Sequence, residues 1–409
     1  MKYKNVELGE IASITKLSGF EFTKFFEYQD IAEIIAIRGL NVKNGNLDLE
    51  NVKYIEKSVS EELKRSKLYI NDIVITYTGS KYGDVAIITE NDRFHLAPNV
   101  AKITMSEGCL PYFYYLYFQS FEFQRNIKNY GVGSGQPTIP MKNLRKIPVS
   151  FPPHDIQNKI SNQLKLLNDK INLNNQMIDT LEEMASTLFK RWFVDFEFPD
   201  ENGNPYKSSG GKIIDSELGE IPDGWEIKRL SEIANYKNGL AMQKFRPLEN
   251  EDSLPVLKIK ELNQGYTDRN SDRCSIDINE DVKIYDGDII FSWSGTLIVD
   301  IWTGGNAGLN QHLFKVTSEK YPKWFYYLWT KFYLNKFIAI AKDKATTMGH
   351  IKRQHLNESI VCIPKDFEPL NQTLEGIINK VENLGKSNRD LEQTRDLLLP
   401  KLLSGEIEV

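Results

Sequence analysis

The residues able to do chemistry are scattered along this chain rather than gathered. Pro222-Asp223-Gly224-Trp225-Glu226-Ile227-Lys228 has the letters of a metal-dependent nuclease motif. Two residues between Asp223 and Glu226 are too few for ligands carried on separate strands, and Pro-Asp-Gly is turn chemistry. Asn204-Pro205-Tyr206 lacks the second proline of the amino-methyltransferase tetrapeptide and sits in a Gly/Asn/Ser-rich segment. Gly131-Val132-Gly133-Ser134-Gly135 is glycine-rich, yet no Lys-Ser/Thr closes a phosphate loop. His350 and His355 are five apart with no third ligand nearby. The expectation is a non-catalytic chain with no metal site and no cofactor of its own.

What organises the chain is a pair of long amphipathic stretches. From Asp155 to Trp192, apolar residues recur at alternating steps of four and three: Ile160, Leu164, Leu167, Ile171, Asn174, Ile178, Leu181, Ala185, Leu188 and Trp192. That is a heptad seam, which predicts a long helix lying against another helix. Pro152 and Pro153 bar helix before it, and Asp155 is the expected N-cap. The polar Asn174 in the seam costs stability but can fix register or partner. The same pattern returns 210 residues later at Leu370, Leu374, Ile377, Val381, Leu384, Asn388, Leu391, Arg395, Leu398 and Leu402, a natural partner within the chain.

The segments ahead of the two helices also repeat. Leu8-Gly9-Glu10-Ile11-Ala12 returns as Leu230-Ser231-Glu232-Ile233-Ala234, and Asp72-Ile73-Val74 with Gly79 as Asp288-Ile289-Ile290 with Gly295. Phe113-Tyr114-Tyr115-Leu116 returns as Phe325-Tyr326-Tyr327-Leu328, and Ile139, Leu144 and Pro152 as Ile351, Leu356 and Pro364. Common order and a nearly constant offset imply duplication. Short apolar runs around Gly79 and Gly295 predict strands. The aromatic runs Tyr112–Phe118 and Trp324–Phe332 read as core helices rather than stacking platforms for bases.

The fold class expected is α+β. Two similar mixed α/β domains are joined by two long antiparallel coiled-coil-like helices in an internal pseudo-two-fold repeat. The domains are expected at 1–152 and 216–366, the helices at 153–197 and 367–409, and a linker at 198–215. A helix of about 38 residues would span roughly 57 Å, far enough to hold two readers more than one DNA turn apart.

A net charge of −5 argues on its face against nucleic acid. The surplus, however, sits mainly on the helical segments. Residues 151–200 and 367–409 are −3 apiece, whereas 1–150 carries +2 and 201–366 carries −1. No run approaches the length of a membrane span, the start lacks a signal-peptide core, and Cys109, Cys274 and Cys362 lie far apart. These features predict a cytoplasmic protein with no membrane partner.

Leu173-Asn174-Asn175, Thr180-Leu181-Glu182-Glu183-Met184-Ala185 and Leu188-Phe189-Lys190-Arg191-Trp192-Phe193-Val194-Asp195-Phe196 resemble the central spacer of type I restriction–modification specificity subunits. Leu398-Leu399-Pro400-Lys401-Leu402-Leu403-Ser404-Gly405-Glu406-Ile407 is similar to that family's closing segment, and Gly133-Ser134-Gly135-Gln136 through Pro153 to the end of its target recognition domains. The resemblance implies two domains, each reading half of a split, asymmetric double-stranded DNA site, with the helices setting half-site spacing. It implies docking to two modification subunits, which carry S-adenosylmethionine and methylate adenine. It also implies restriction subunits, which add ATP- and magnesium-dependent cleavage. A protein-binding coiled-coil scaffold without DNA recognition is the alternative; it leaves two divergent Gly-loop domains unexplained.

Small polar and basic residues on loops are the candidate DNA contacts, since phosphates and base edges are met there. In the first copy these are Thr78, Gly79, Ser80, Lys81, Ser134, Gln136, Thr138 and Lys142. In the second they are Ser294, Gly295, Thr296, Thr346, Thr347, His350, Lys352 and Arg353. The second copy has Thr346-Thr347-Met348-Gly349-His350 where the first has Gly133-Ser134-Gly135-Gln136-Pro137.

Overall fold

The computed structural model describes residues 3–43, 45–79, 82–133, 137–343 and 349–407. The chain forms two compact units, residues 1–169 with 393–409 and residues 170–392. The division falls inside both long helices.

In the first unit, apolar runs too short for helices pair into an antiparallel sheet. Its strand order is Ala12–Lys16, Val100–Met105, Ile73–Thr76, Val85–Ile87. Ile103 faces Ile14 on one side and Ile73 on the other. The strand Ile73–Thr76 is buried at every position, so it reads as a continuous apolar run rather than an alternation. A second sheet orders Lys53–Ile55, Ile34–Ile37 and Phe94–Leu96, the last two parallel. The second unit repeats the first sheet with Asn235–Asn238, Leu313–Thr317, Ile289–Ser292 and Val299–Ile301. It repeats the parallel pair with Ser253–Leu257 and Ala307–Leu309.

The copies also share a polar anchor. The Tyr69 N–H donates to Asp72 at 2.8 Å, and Lys102 Nζ donates to the Lys67 carbonyl at 2.8 Å beneath the Tyr69 ring. In the second unit the Tyr285 N–H donates to Asp288 at 2.8 Å, and Lys315 Nζ donates to the Lys283 carbonyl at 2.9 Å beneath the Tyr285 ring. They differ in the aromatic helices. The first copy breaks into Pro111–Gln119 and Phe121–Tyr130 because Ser120, in extended backbone, caps the second helix. The position corresponding to Ser120 is Phe332, which cannot cap, and one helix runs Lys323–Asp343.

The long helices are His154–Phe193 and Glu368–Ser404. The first begins one residue before Asp155, which lies within the first turn, where its carboxylate suits the helix dipole. In the first unit Ile160 and Leu164 share the globular core with Leu399, Leu402 and Leu403, and Arg395 donates to Asn168 at 3.3 Å. In the second, Ala185, Phe189 and Phe193 share a core with Leu370, Leu374 and Ile378. Numbers rise along one helix as they fall along the other, so within each unit the helical segments pack antiparallel. Within 198–215, Phe198 stacks on Tyr206 at 4.6 Å and on Trp225 at 4.9 Å.

Asn174 meets Asn388. Its Nδ2 donates to Asn388 Oδ1 at 2.8 Å, and Asn388 Nδ2 donates to Asn175 Oδ1 at 2.6 Å. Both seam asparagines are buried, so Asn388→Ala strands the Asn174 amide. The expected loss is about 1–3 kcal/mol in denaturant unfolding. Replacing Asn174 and Asn388 together by Leu should recover most of that stability, because no polar group is then left stranded between the two helices.

His95 is wholly buried, with Nδ1 3.0 Å from Ser60 Oγ and Nε2 without a partner among the described residues. Burial, reinforced by the Lys102 ammonium, pushes its imidazole down to about 4. Protonation therefore favours the unfolded chain, and stability should fall as pH drops from about 6.5 toward 4, by on the order of 3 kcal/mol. His95→Gln should flatten that part of the pH–stability curve; an unchanged slope would count against it.

Candidate nucleic-acid interface

The two groups of loop candidates in each copy lie some sixty residues apart in sequence, and the fold zips them together. At the end of strand Ile73–Thr76 the chain turns at Gly79, whose φ of 97° suits glycine. The Gly79 N–H donates to the Pro137 carbonyl at 3.1 Å, and the Ile139 N–H to the Tyr77 carbonyl at 2.8 Å. Thr78 thus bridges Thr138, whose hydroxyl donates to the same Tyr77 carbonyl at 3.0 Å. The second copy repeats this link. The Gly295 N–H donates to the Gly349 carbonyl at 3.1 Å, the Ile351 N–H to the Trp293 carbonyl at 3.0 Å, and Ser294 bridges His350.

Thr78, Gly79 and Thr138 are half-buried; Gly295, Thr296 and His350 are exposed; Ser294 is buried, its hydroxyl 3.0 Å from His312 Nδ1. Lys142 and Lys352 are exposed at the short helices that follow each zipper. Ser80, Lys81, Ser134, Gln136, Thr346 and Thr347 lie outside the described residues. Arg353 is held structurally: Nη2 donates to the Tyr236 carbonyl at 2.9 Å, and its guanidinium lies 5.5 Å over the Phe314 ring. Arg145 does the same from the far end of its helix, donating to the Ile14 carbonyl at 2.7 Å.

Sequence reasoning missed Tyr77 and Trp293, whose carbonyls carry the zippers. The signal was present, since each follows its repeated aspartate by five residues. It also missed Lys16, an exposed cation whose Nζ sits 5.2 Å over the Tyr77 ring beside the Gly79 turn. The chemistry on offer is recognition. Asp223 pairs with Lys212 at 2.9 Å, and Glu226 lies 3.9 Å from Lys228. His355, buried, accepts the Lys352 N–H at 3.0 Å while His350 is exposed, so the two do not converge. Burial pushes the Cys362 thiol up to about 11, away from reactivity. No group of three His, Cys, Asp or Glu among the described residues could hold a metal.

The model of the type I restriction modification DNA specificity domain matches residues 1–183 and 222–395. The chain belongs to this family. It is a DNA sequence-recognition subunit, and the scaffold alternative has no support. The MjaIX specificity subunit of Methanocaldococcus jannaschii is 27% identical over 386 residues, covering 88% of this chain and 85% of that one. The HindI specificity subunit of Haemophilus influenzae is 22% identical over 470 residues, covering 99% of each. A crystal structure of a type I S subunit from M. genitalium shares the fold, with a TM-score of 0.53, 14% identity and coverage of 98% and 96%. Within this specificity subunit, no helix among the described residues is long and apolar enough to cross a membrane.

Lys352 and Arg353 should therefore separate. Lys352→Ala should weaken DNA binding and reduce the salt slope by about one, with folding unaffected. Arg353→Ala should lower the stability of the second unit by about 1–2 kcal/mol through its lost carbonyl and ring contacts. Thermal melts beside salt titrations of binding distinguish the two.

Proposed function

We propose that residues 1–152 and 216–366 are target recognition domains, each reading one half of a bipartite, asymmetric DNA site. The observation that carries this is the repeated loop zipper. One backbone arrangement presents Thr138 in the first copy and His350 in the second. A shared frame with unlike side chains suits two half-sites of unlike sequence. The long helices set the half-site spacing and dock the modification subunits, two per complex. Leu173 and Met184 support this, being exposed on the first long helix eleven residues apart, a spacing that keeps them on one face. The modification subunits bring S-adenosylmethionine and methylate adenine, and restriction subunits add ATP- and magnesium-driven cleavage in the cytoplasm.

Modified-base sequencing of DNA from cells expressing this chain with its modification subunit tests the proposal. The expected result is a methyladenine motif of two unlike halves across a fixed spacer, absent when the chain is deleted. No chain-dependent motif, with both proteins present and associated, would overturn it.

A further inference from the structure

Beside the second zipper, and wholly within the second unit, lies a cleft of about 570 Å³. Its charge departs from that of the chain as a whole. Arg246, Lys258 and Arg273 line it against the single carboxylate of Asp272, in a protein whose net charge is −5. Lys258 is paired with Asp272, and Arg273 is fixed on Ser253, its Nε donating to the hydroxyl at 3.0 Å. Arg246 is exposed at the rim.

The floor is the turn Asn310-Gln311-His312. Each part of it is held. The Asn310 N–H donates to the Leu257 carbonyl at 3.1 Å, and Asn310 Oδ1 accepts the His312 N–H at 3.3 Å. Below, a Cβ on Gly239 would stand 2.3 Å from the carbonyls of Leu309 and Asn310, so only glycine lets the neighbouring backbone come that close. The His312 ring is oriented by Ser294 at 3.0 Å and packs 5.8 Å from Trp293. Half-buried Gln311 points its amide toward His312, 3.3 Å between the side-chain nitrogens. The turn is thus tied to the zipper and presents an amide and an imidazole into a basic cleft.

The first copy makes the corresponding backbone hydrogen bond here, with Asn99 at a φ of 74°, and carries different chemistry. Its Asn99 carbonyl accepts the Tyr77 N–H at 3.0 Å, as the His312 carbonyl accepts the Trp293 N–H at 3.4 Å. The side chains are Ala97-Pro98-Asn99, with Ala97 fully buried. An apolar pair thus stands where the second copy carries Asn310 and Gln311.

Resting on the bipartite reading above, we infer that this cleft is the base-reading site of the second recognition domain. Gln311 is its specificity-determining residue, contacting a base edge in the major groove, while exposed Arg246 meets a flanking phosphate. An amide matches the N6/N7 edge of adenine. Asn310, His312 and Ser294 are positioning residues: they hold the turn without themselves reading a base.

The test uses the complex of the full chain with its modification subunits. Binding is measured on a panel of duplexes, each carrying one altered base pair of the sequenced motif. For Gln311→Ala, the penalty at a position in one half of the motif should fall about tenfold or more, with the other half unchanged. Penalties that stay the same everywhere, or fall equally in both halves, would overturn the assignment. If Gln311→Ala does not assemble, exposed Arg246→Ala is measured instead. It should weaken all duplexes and flatten the salt dependence by about one ion, and no change in either would overturn the assignment. A wild-type complex that ignores sequence altogether would instead defeat the bipartite reading itself.

Discussion

Each globular part of this protein completes its core with turns from both long helices, and the rest of the structure depends on that docking. In the first unit Leu402 and Leu403 from one helix enter the same cluster as Ile160 and Leu164 from the other. In the second, Phe193 lies edge-to-face on Phe325 at 5.6 Å, and Leu374 is fully buried in the shared cluster. Truncating a leucine at such a site costs about 2–5 kcal/mol, a large part of a domain's total stability. A recognition loop borne on either sheet is therefore only as well fixed as the helical turns beneath it.

Duplication on such a scaffold lets the sequence diverge where contacts are made by backbone. The zippers use carbonyls and N–H groups of Tyr77, Gly79, Pro137 and Ile139 in one copy, and of Trp293, Gly295, Gly349 and Ile351 in the other. Glycine at the turn and isoleucine on the returning strand are shared in type; the other two positions are not. The N–H-to-carbonyl bonds of the frame place no demand on the loop side chains, and the side-chain bonds that are added differ between copies: Thr138 to the Tyr77 carbonyl in one, Ser294 to His312 in the other. Where a side chain does hold the frame, as with Asp72 and Asp288, the residue type is kept.

That contrast explains what could be read from the chain. A seam of ten positions at steps of four and three is a local periodic signal, and every one of those positions is buried or half-buried on the helix His154–Phe193. The two-copy organisation was legible for the same reason, through repeated types at a constant offset. The joining of Thr78 to Thr138 was not, because a backbone bridge leaves no trace in residue type. Arg353 shows a different limit. Its type and place beside a loop suggest a phosphate contact, but residue type does not show that its guanidinium also holds the Tyr236 carbonyl and lies over the Phe314 ring. The break at Ser120 and its absence at Phe332 turned on a single capping hydroxyl.

Carboxylates on the long helices have a structural role. On the long helices of the second unit, Glu182 accepts the Tyr327 hydroxyl at 3.0 Å and lies 3.0 Å from Lys331. Glu382 takes Lys323 at 2.7 Å, with Lys386 on its other oxygen. These carboxylates fasten helix to globular part, and the cations they engage neutralise them in place. At physiological salt a phosphate senses charges within about 8 Å. The sign of the whole protein therefore says little about its affinity for DNA. What matters is the local arrangement at a cleft such as that of Arg246 and Gln311, where cations outnumber the single carboxylate of Asp272.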